Sequence, residues 1–265
     1  MAEQPTAVWA SGAAYEAYVG RWSRMVAREF LDWLAVPAGS SWLDVGFGTG
    51  ELTKAIVETQ SPSRVAGIDP SGGFVAFARQ HVRDERVKFD EGDAMSLPYS
   101  EEEFDATVSG LVLNFVPEPD RGLSEMTRVT RVRGIVAAYV WDYAGKMEMM
   151  RHLFDAAIAL DPAAAKVDEG PRFPICRPER LAETFQRASL RGVETRAMDV
   201  PTHFRDFDDY WTPFLGGTGV APAYVMSLPE GKRLALRERL REALPIAQDG
   251  SIPLVARAWA VKGTV

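Results

Sequence analysis

The sequence has few of the residues that hold metal ions or form disulfides. Among its 265 residues there are one cysteine, Cys176, and three histidines. A single cysteine excludes an internal disulfide framework and is typical of proteins in a reducing compartment. With so few thiol and imidazole groups no zinc or iron ligand cluster is recognisable. We therefore expect no bound metal and a cytoplasmic protein.

Positive charge and long hydrophobic runs are also scarce. The 37 Asp and Glu residues outnumber the 30 Lys and Arg residues, which gives a formal net charge of −7. An acidic chain presents no basic field to a phosphate backbone, so we expect no nucleic-acid partner. No apolar run approaches the roughly 18 residues that span a bilayer, and the first residues lack a signal-peptide pattern, so we expect no membrane span. Neither composition nor pattern indicates an oligomeric state.

The most informative stretch lies between a predicted strand and a predicted helix. The residues from Trp42 to Thr53 indicate a buried strand, a turn and the start of a helix, with Gly46, Gly48 and Gly50 in the turn. Glycines at these positions let the backbone approach a ligand closely. Asp69 ends the next apolar run, about 20 residues on, where a carboxylate accepts hydrogen bonds from a ribose. This unit predicts an adenosine-containing cofactor.

Strands and helices alternate over much of the chain. The predicted strands that follow the glycine turn are 64–69, 87–91, 104–109, 135–141, 193–200 and 253–262. Such alternation is typical of an α/β protein with a parallel sheet covered on both faces, and ligands bind beyond the carboxyl ends of its strands. We predict a helical cover segment over 1–38, a core over 39–143 and a C-terminal part over 144–265. Within the last part, the aromatic and glycine-rich stretch 204–229 is predicted to be an irregular lid.

The spacing of the glycines distinguishes between cofactors. A dinucleotide-binding turn reads G-x-G-x-x-G, whereas here the three glycines are spaced G-x-G-x-G and are followed by Glu51. A G-x-G-x-G turn preceded by an acidic residue, here Asp44, resembles motif I of the class I S-adenosylmethionine-dependent methyltransferases. In that family the acidic residue helps to hold the methionine ammonium group, and the resemblance implies this role for Asp44.

The resemblance continues at the ends of the next three strands. Asp69-Pro70 is similar to the segment whose Asp binds the ribose hydroxyls, Asp93-Ala94 to the segment whose Asp faces the adenine amino group, and 104–109 to the strand that ends beside the cofactor. The similarity covers about residues 40–142 and includes the methyltransferase-11-like, UbiE-like branch. It implies S-adenosylmethionine as cofactor and a Rossmann-like doubly wound seven-stranded sheet, mostly parallel with an antiparallel last strand, plus helical and aromatic lid insertions. The implied cofactor-binding residues are Asp44, Gly46, Gly48, Gly50, Asp69, Pro70, Asp93, Ala94 and Ser109; alternatively, Asp93 caps a turn.

The segment before the core supplies two further candidates for cofactor binding. Related methyltransferases often carry a similar Y-x-x-Y…W segment that folds over the cofactor. The resemblance implies a bidentate contact of Arg21 with the methionine carboxylate and a hydrogen bond from Tyr15 near it. The alternative is that Tyr15, Tyr18 and Trp22 form one packing stripe of a helix.

Methyl transfer makes few demands on side chains, because the cofactor itself carries the reactive group. The protein aligns the acceptor with the methyl group and excludes water, and a catalytic base is not obligatory. The catalytic candidates are His203, whose imidazole can act as a base, and Asp142 and Tyr143, which follow the predicted strand 135–141. For His203 the alternative is a surface or packing role, and for the other two a role in ending the strand.

The acceptor is expected to be a small molecule, apolar or aromatic, that sits among the aromatic residues of the predicted lid. Packing of those residues with one another explains them equally well. Asn114-Phe115-Val116-Pro117 lacks the adjacent prolines of the N-P-P-Y motif, which disfavours methylation of nucleic-acid bases. Two other functions stay open: a catalytically silent S-adenosylmethionine-binding module acting through protein contacts, and an NAD-dependent oxidoreductase, which the glycine spacing disfavours.

Overall fold

The structure, a computed structural model, describes residues 19–216 and 219–265. Its strands are β1 (Ser41–Val45), β2 (Arg64–Asp69), β3 (Val87–Glu91), β4 (Phe104–Gly110), β5 (Thr130–Trp141), β6 (Arg191–Phe204) and β7 (Ile252–Thr264). Its α-helices are α1 (Arg21–Leu34), α2 (Glu51–Thr59), α3 (Gly72–His81), α4 (Pro119–Val129), α5 (Glu148–Leu160), α6 (Glu169–Arg172), α7 (Pro178–Arg187), α8 (Phe207–Trp211), α9 (Val220–Ser227) and α10 (Glu230–Ala243). Short 3-10 turns occupy Leu113–Phe115, Pro162–Lys166 and Thr212–Gly216.

The strands form a seven-stranded sheet in the order β3-β2-β1-β4-β5-β7-β6. β1 pairs in parallel with both β2 and β4, so the order of the strands reverses between β1 and β4. β5 runs parallel to β4 and antiparallel to β7, from Ile135 opposite Thr264 to Trp141 opposite Ala258. The sheet confirms the predicted Rossmann-like fold, mostly parallel with an antiparallel last strand. It also places the ligand-binding crevice of such folds at the reversal between β1 and β4.

The burial of β1 explains why this sequence forms a central strand. All five residues of Ser41–Val45 are buried, which is expected of a parallel strand that is covered on both faces. β2 and β3 have the predicted bounds, whereas β5, β6 and β7 extend beyond theirs. In β5 the extension runs through Arg131 and Arg133, because the ladder to β4 begins at the pair Phe104–Thr130 before the apolar run starts.

The described residues group into two compact units. The sheet unit comprises Ser23–Trp141, Ile175–Met198 and Ala258–Val265, and the helical unit comprises Asp142–Pro174, Asp199–Arg257 and the described residues up to Trp22. The predicted division into segments 1–38, 39–143 and 144–265 stays a prediction. None of the helices in the two described ranges is long and apolar enough to cross a membrane.

The stretch 204–229 is mostly helical, which agrees with helical insertions, so the prediction that it is irregular is wrong and its role as a lid stays a prediction. It contains α8, the 3-10 turn Thr212–Gly216 and α9. Its aromatic side chains are the physical reason: Phe204, Tyr210 and Phe214 are fully buried, with the Tyr210 ring 5.3 Å from Phe204 and 5.4 Å from Phe214. Packing of Tyr210 against both other rings is thus confirmed, as the alternative to an acceptor site predicted.

Candidate cofactor site

Asp44, near the end of β1, is fully buried in the sheet unit. Its Oδ2 accepts a hydrogen bond of 2.7 Å from the Thr53 hydroxyl of α2. Its Oδ1 is shielded from solvent and has no hydrogen-bond partner among the described residues. A buried polar atom without a partner costs free energy. The carboxylate therefore keeps one acceptor uncommitted at the carboxyl end of the strand.

The electrostatics of Asp44 favour a positively charged ligand group. Burial raises the pKa of Asp44 to about 7; the hydrogen bonds from Thr53 oppose this, and the nearby Asp69 adds to it. A cation placed against Oδ1 offsets the desolvation and favours the ionised carboxylate. A neutral donor compensates only through its hydrogen bond and an anionic group not at all, so this point of the site favours an ammonium or a similar cation.

The glycine turn that follows β1 is built from left-handed backbone. The φ angles of Gly46, Gly48 and Gly50 are 77°, 54° and 87°, a region that residues with a Cβ rarely adopt. A Cβ at Gly46 would overlap the side chain of Val112, which lies in the segment after β4. At Gly48 no atom of the described residues lies within 4 Å of the Cβ position. The turn therefore has no space for a side chain at Gly46. It has space at Gly48, where a ligand can approach the backbone.

Asp69, at the end of β2, is held by the same turn. Its Oδ2 accepts a hydrogen bond of 3.0 Å from the Gly48 backbone N–H, and its Oδ1 accepts one of 2.9 Å from the Ser71 backbone N–H. Burial raises the pKa of Asp69, and these two N–H groups oppose the shift. Each oxygen keeps a further lone pair, and a ribose diol offers two hydroxyl donors to one carboxylate. Pro70, beside it, is exposed.

The other predicted cofactor residues lie after β3 and at the end of β4. Asp93 is exposed, and its Oδ1 accepts a hydrogen bond of 2.8 Å from the Met95 backbone N–H. The turn-capping alternative is therefore confirmed for Asp93, and its contact with adenine stays a prediction. Ala94 is half-buried, and Ser109 is buried in β4 opposite Ala138 of β5. The structure thus brings the predicted residues of the sheet unit to the carboxyl ends of β1 to β4.

Two of the catalytic candidates, Asp142 and Tyr143, lie at the start of the Asp142–Pro174 stretch of the helical unit. The Asp142 carboxylate accepts a hydrogen bond of 3.0 Å from the Lys146 backbone N–H, and its carbonyl accepts one of 3.0 Å from Met147. Tyr143 is buried, with its ring 5.4 Å from that of Phe173. Asp142 therefore organises the turn after β5, and a role for either residue in orienting an acceptor stays a prediction.

His203 is exposed on β6, and a role as base stays a prediction. Arg21, in the helical unit, donates a hydrogen bond of 3.2 Å from Nη1 to Asp209, and its guanidinium lies 4.4 Å from the Trp22 ring centroid. Its Nε and Nη2 are shielded from solvent and have no partner within the two described ranges. Two donors of Arg21 are thus uncommitted, which suits the predicted contact with a carboxylate. Tyr15 lies outside the described residues.

Two residues of the site were missed by sequence reasoning. Thr53 orients Asp44, and its hydroxyl in the first turn of a helix after a glycine loop was the signal that could have revealed it. Val112 closes one side of Gly46. No signal in the sequence predicts this second contact, because it joins segments that follow two different strands.

Comparisons with known proteins agree with this geometry. The family described as "Methyltransferase domain" matches residues 43–138. The chain is 34% identical over 188 residues to the demethylmenaquinone methyltransferase of Staphylococcus aureus. The aligned region covers 66% of this chain and 76% of that protein. It is 35% identical over 114 residues to the demethylmenaquinone methyltransferase of Lactobacillus johnsonii. Here the aligned region covers 41% of this chain and 47% of that protein. This second match spans about half the length of the relative.

A solved structure is similar over nearly the whole chain. The phosphoethanolamine N-methyltransferase 2 of Haemonchus contortus, in complex with phosphomonomethylethanolamine and S-adenosylhomocysteine, has a TM-score of 0.62 at 16% identity and covers 98% of this chain and 58% of that chain. At this identity the likeness shows the fold. The uncommitted oxygen of Asp44, the open side of Gly48 and the lone pairs of Asp69 fit S-adenosylmethionine, which is the cofactor. The chain belongs to the class I S-adenosylmethionine-dependent methyltransferases, in the methyltransferase-11-like, UbiE-like branch.

Proposed function

We propose that the protein transfers a methyl group from S-adenosylmethionine to a small hydroquinone-type acceptor. The observation that supports the transfer is the buried Oδ1 of Asp44, which has no partner among the described residues. It lies just before the glycine turn, in which Gly48 has room for a ligand beside the backbone. The acceptor class is supported by the Staphylococcus and Lactobacillus relatives, both named for demethylmenaquinone. An electron-rich ring also suits a site without an obligatory base.

The residues of the chain bind and orient the two reactants. Asp44 accepts hydrogen bonds from the methionine ammonium, Asp69 from the ribose hydroxyls, and the backbone at Gly48 leaves room for the ligand. When bound, S-adenosylmethionine supplies a methyl group that bonds to an electron pair of the ring carbon, while the carbon–sulfur electrons stay on sulfur. The ring carbon then loses its proton to solvent, which restores the aromatic hydroquinone.

Arg21 is proposed to hold the methionine carboxylate through its uncommitted Nε and Nη2. Arg21→Ala is expected to lower the affinity for S-adenosylhomocysteine by about 10- to 100-fold, because a charged hydrogen bond is lost. Asp209→Asn is the matched control, since it weakens the ion pair and keeps both donors of Arg21. An Arg21→Ala variant with wild-type affinity in calorimetry would reject this role.

Calorimetry and turnover together test the function. We expect the protein to bind S-adenosylhomocysteine and not NAD. Incubation with S-adenosylmethionine and a reduced 2-prenyl-1,4-naphthohydroquinone is expected to yield S-adenosylhomocysteine and a product heavier by one methylene, both measured by mass spectrometry. The Asp44→Ala variant is the negative control.

Each failure has a different meaning. Binding of NAD alone would reject the cofactor assignment and favour an oxidoreductase. Binding of S-adenosylhomocysteine without methylation of the hydroquinone would reject the proposed acceptor. If a wider panel of small acceptors also gave no turnover, the silent binding module would be the better description.

A further inference from the structure

The chain contains a single asparagine, Asn114. It lies in the 3-10 turn Leu113–Phe115, in the segment that follows β4. Its Oδ1 and Nδ2 are both shielded from solvent, and neither has a hydrogen-bond partner in the part of the chain that the structure describes. Exchanging the two atoms by a flip of the amide leaves the same two atoms unpaired, so the observation does not depend on their assignment.

An unpaired amide at this position calls for an explanation. A buried donor or acceptor that lacks a partner destabilises the folded protein, whereas leucine has the same branched shape without this cost. Fold stability alone therefore favours leucine at position 114. A ligand that completes both hydrogen bonds explains why an asparagine stands there.

The surroundings of Asn114 place it at the crevice of the sheet unit. β1 and β4 are neighbours at the reversal of the strand order, and the segment after β4 lies beside the turn after β1. On one side of Asn114, Val112 contacts Gly46 of the glycine turn. On the other side, Val116 Cγ1 is 3.2 Å from the Cβ position of Gly122, and the Ala94 carbonyl is 3.8 Å from the same point. Asn114 thus lies in a segment that contacts the glycine turn on one side and Gly122 of α4, next to Ala94, on the other.

The chemistry of the amide indicates which reactant it binds. Asp44 offers an acceptor to the methionine ammonium and Asp69 offers acceptors to the ribose, so both of these cofactor groups have a counterpart. In the sheet unit the methyl acceptor has none so far, and it must lie next to the methionine end of the cofactor, which Asp44 holds. A ring hydroxyl is both a donor and an acceptor, which matches the two functions of an amide.

We propose that Asn114 binds a ring hydroxyl of the methyl acceptor, with Oδ1 accepting the hydroxyl hydrogen and Nδ2 donating to an acceptor oxygen. This inference rests on the proposed function. Because both atoms are closed to solvent in this structure, residues around the crevice move locally when the acceptor enters. The bound hydroxyl then fixes the orientation of the ring toward the methyl group.

A single asparagine makes the inference accessible to a direct spectroscopic test. Protein labelled with ¹⁵N-asparagine has one side-chain amide in its NMR spectrum, and this amide is Asn114. S-adenosylhomocysteine is added first, and the reduced 2-prenyl-1,4-naphthohydroquinone second, so that no transfer takes place. We expect the hydroquinone to produce the larger shift of the amide resonances, saturating with its binding. A shift produced by S-adenosylhomocysteine alone, or by neither compound, would overturn the inference.

The variant Asn114→Leu separates a binding role from a structural one. We expect its melting temperature to equal or exceed that of the wild type and its affinity for S-adenosylhomocysteine to be unchanged. Its kcat/KM for the hydroquinone is expected to fall by about 10- to 100-fold, through the loss of the hydrogen bonds to the acceptor. A lower melting temperature or a weaker affinity for S-adenosylhomocysteine would overturn the inference in favour of a structural or cofactor-binding role.

The two proposals fail in distinguishable ways. If the wild type methylates the hydroquinone and Asn114→Leu keeps its kcat/KM, the inference alone is rejected. If the wild type binds S-adenosylhomocysteine but neither binds nor methylates the hydroquinone, the proposed function is rejected and the inference with it.

Discussion

The buried carboxyl of Asp44 predicts that cofactor binding depends on pH around neutrality. Its pKa in the ligand-free protein is about 7, because burial opposes its ionisation. An ammonium group binds the ionised form, so binding lowers this pKa and releases a proton wherever Asp44 was protonated before. The affinity is therefore fully present above pH 7 and is lost as the pH falls below 7.

The magnitude follows from the pKa. About half of the ligand-free molecules are protonated at Asp44 at pH 7, so binding there releases about half a proton. Below pH 7 the ionised fraction and the association constant both fall about tenfold per pH unit, which weakens the free energy of binding by about 1.4 kcal/mol per unit. The fall continues until the pH reaches the pKa of the complex.

Calorimetric titration with S-adenosylhomocysteine from pH 5 to 8, in buffers of different ionisation enthalpy, measures both the affinity and the released protons. 5′-Methylthioadenosine is the matched control ligand, because it keeps the adenosine and lacks the ammonium. Its binding is expected to show none of the dependence that comes from Asp44. Asp44→Asn is the matched variant, which does not titrate. A pH-independent affinity for S-adenosylhomocysteine, or an equal slope for both ligands, would refute the reasoning.

Four further predictions concern stability. Gly46→Ala is expected to destabilise the protein more than Gly48→Ala in denaturant unfolding: both have left-handed backbone, which costs about 1–2 kcal/mol, but only Gly46 lacks space for a Cβ. Equal losses would contradict the steric argument. Tyr210→Phe removes a hydroxyl that donates a 2.8 Å bond to a backbone carbonyl and is expected to cost about 1 kcal/mol. Tyr99→Phe removes a buried hydroxyl without a partner among the described residues, so its melting temperature should equal or exceed that of the wild type; a lower one would contradict this reasoning. Burial raises the pKa of Glu169 to about 8. As the pH rises from the ordinary pKa of a glutamate to 8, the carboxyl ionises in the unfolded chain before it does in the folded one, so the free energy of unfolding falls. Glu169→Gln is therefore expected to stabilise the protein more at pH 9 than at pH 6, and equal effects in thermal unfolding would refute this.

Local patterns predicted the core of the fold well. The apolar runs that became β2 and β3 have the same bounds in the structure, because glycine, proline and polar residues mark their ends in the sequence. The stretch 204–229 was mispredicted because its glycine and proline content suggested loops. Its helices are instead stabilised by rings that pack around Tyr210, and local composition does not report such contacts.

The sequence by itself determined the strand–turn–helix unit, the glycines at its left-handed positions and the acidic residues at the strand ends. Each of these depends on backbone preferences and on spacing along a short stretch of chain. Only the tertiary structure decided which oxygen of Asp44 is left unpaired, which side chain closes Gly46, and that the one asparagine has no partner among the described residues. These features depend on segments that meet only after the sheet has formed, because the turns after β1 and β4 are adjacent in space and far apart in sequence.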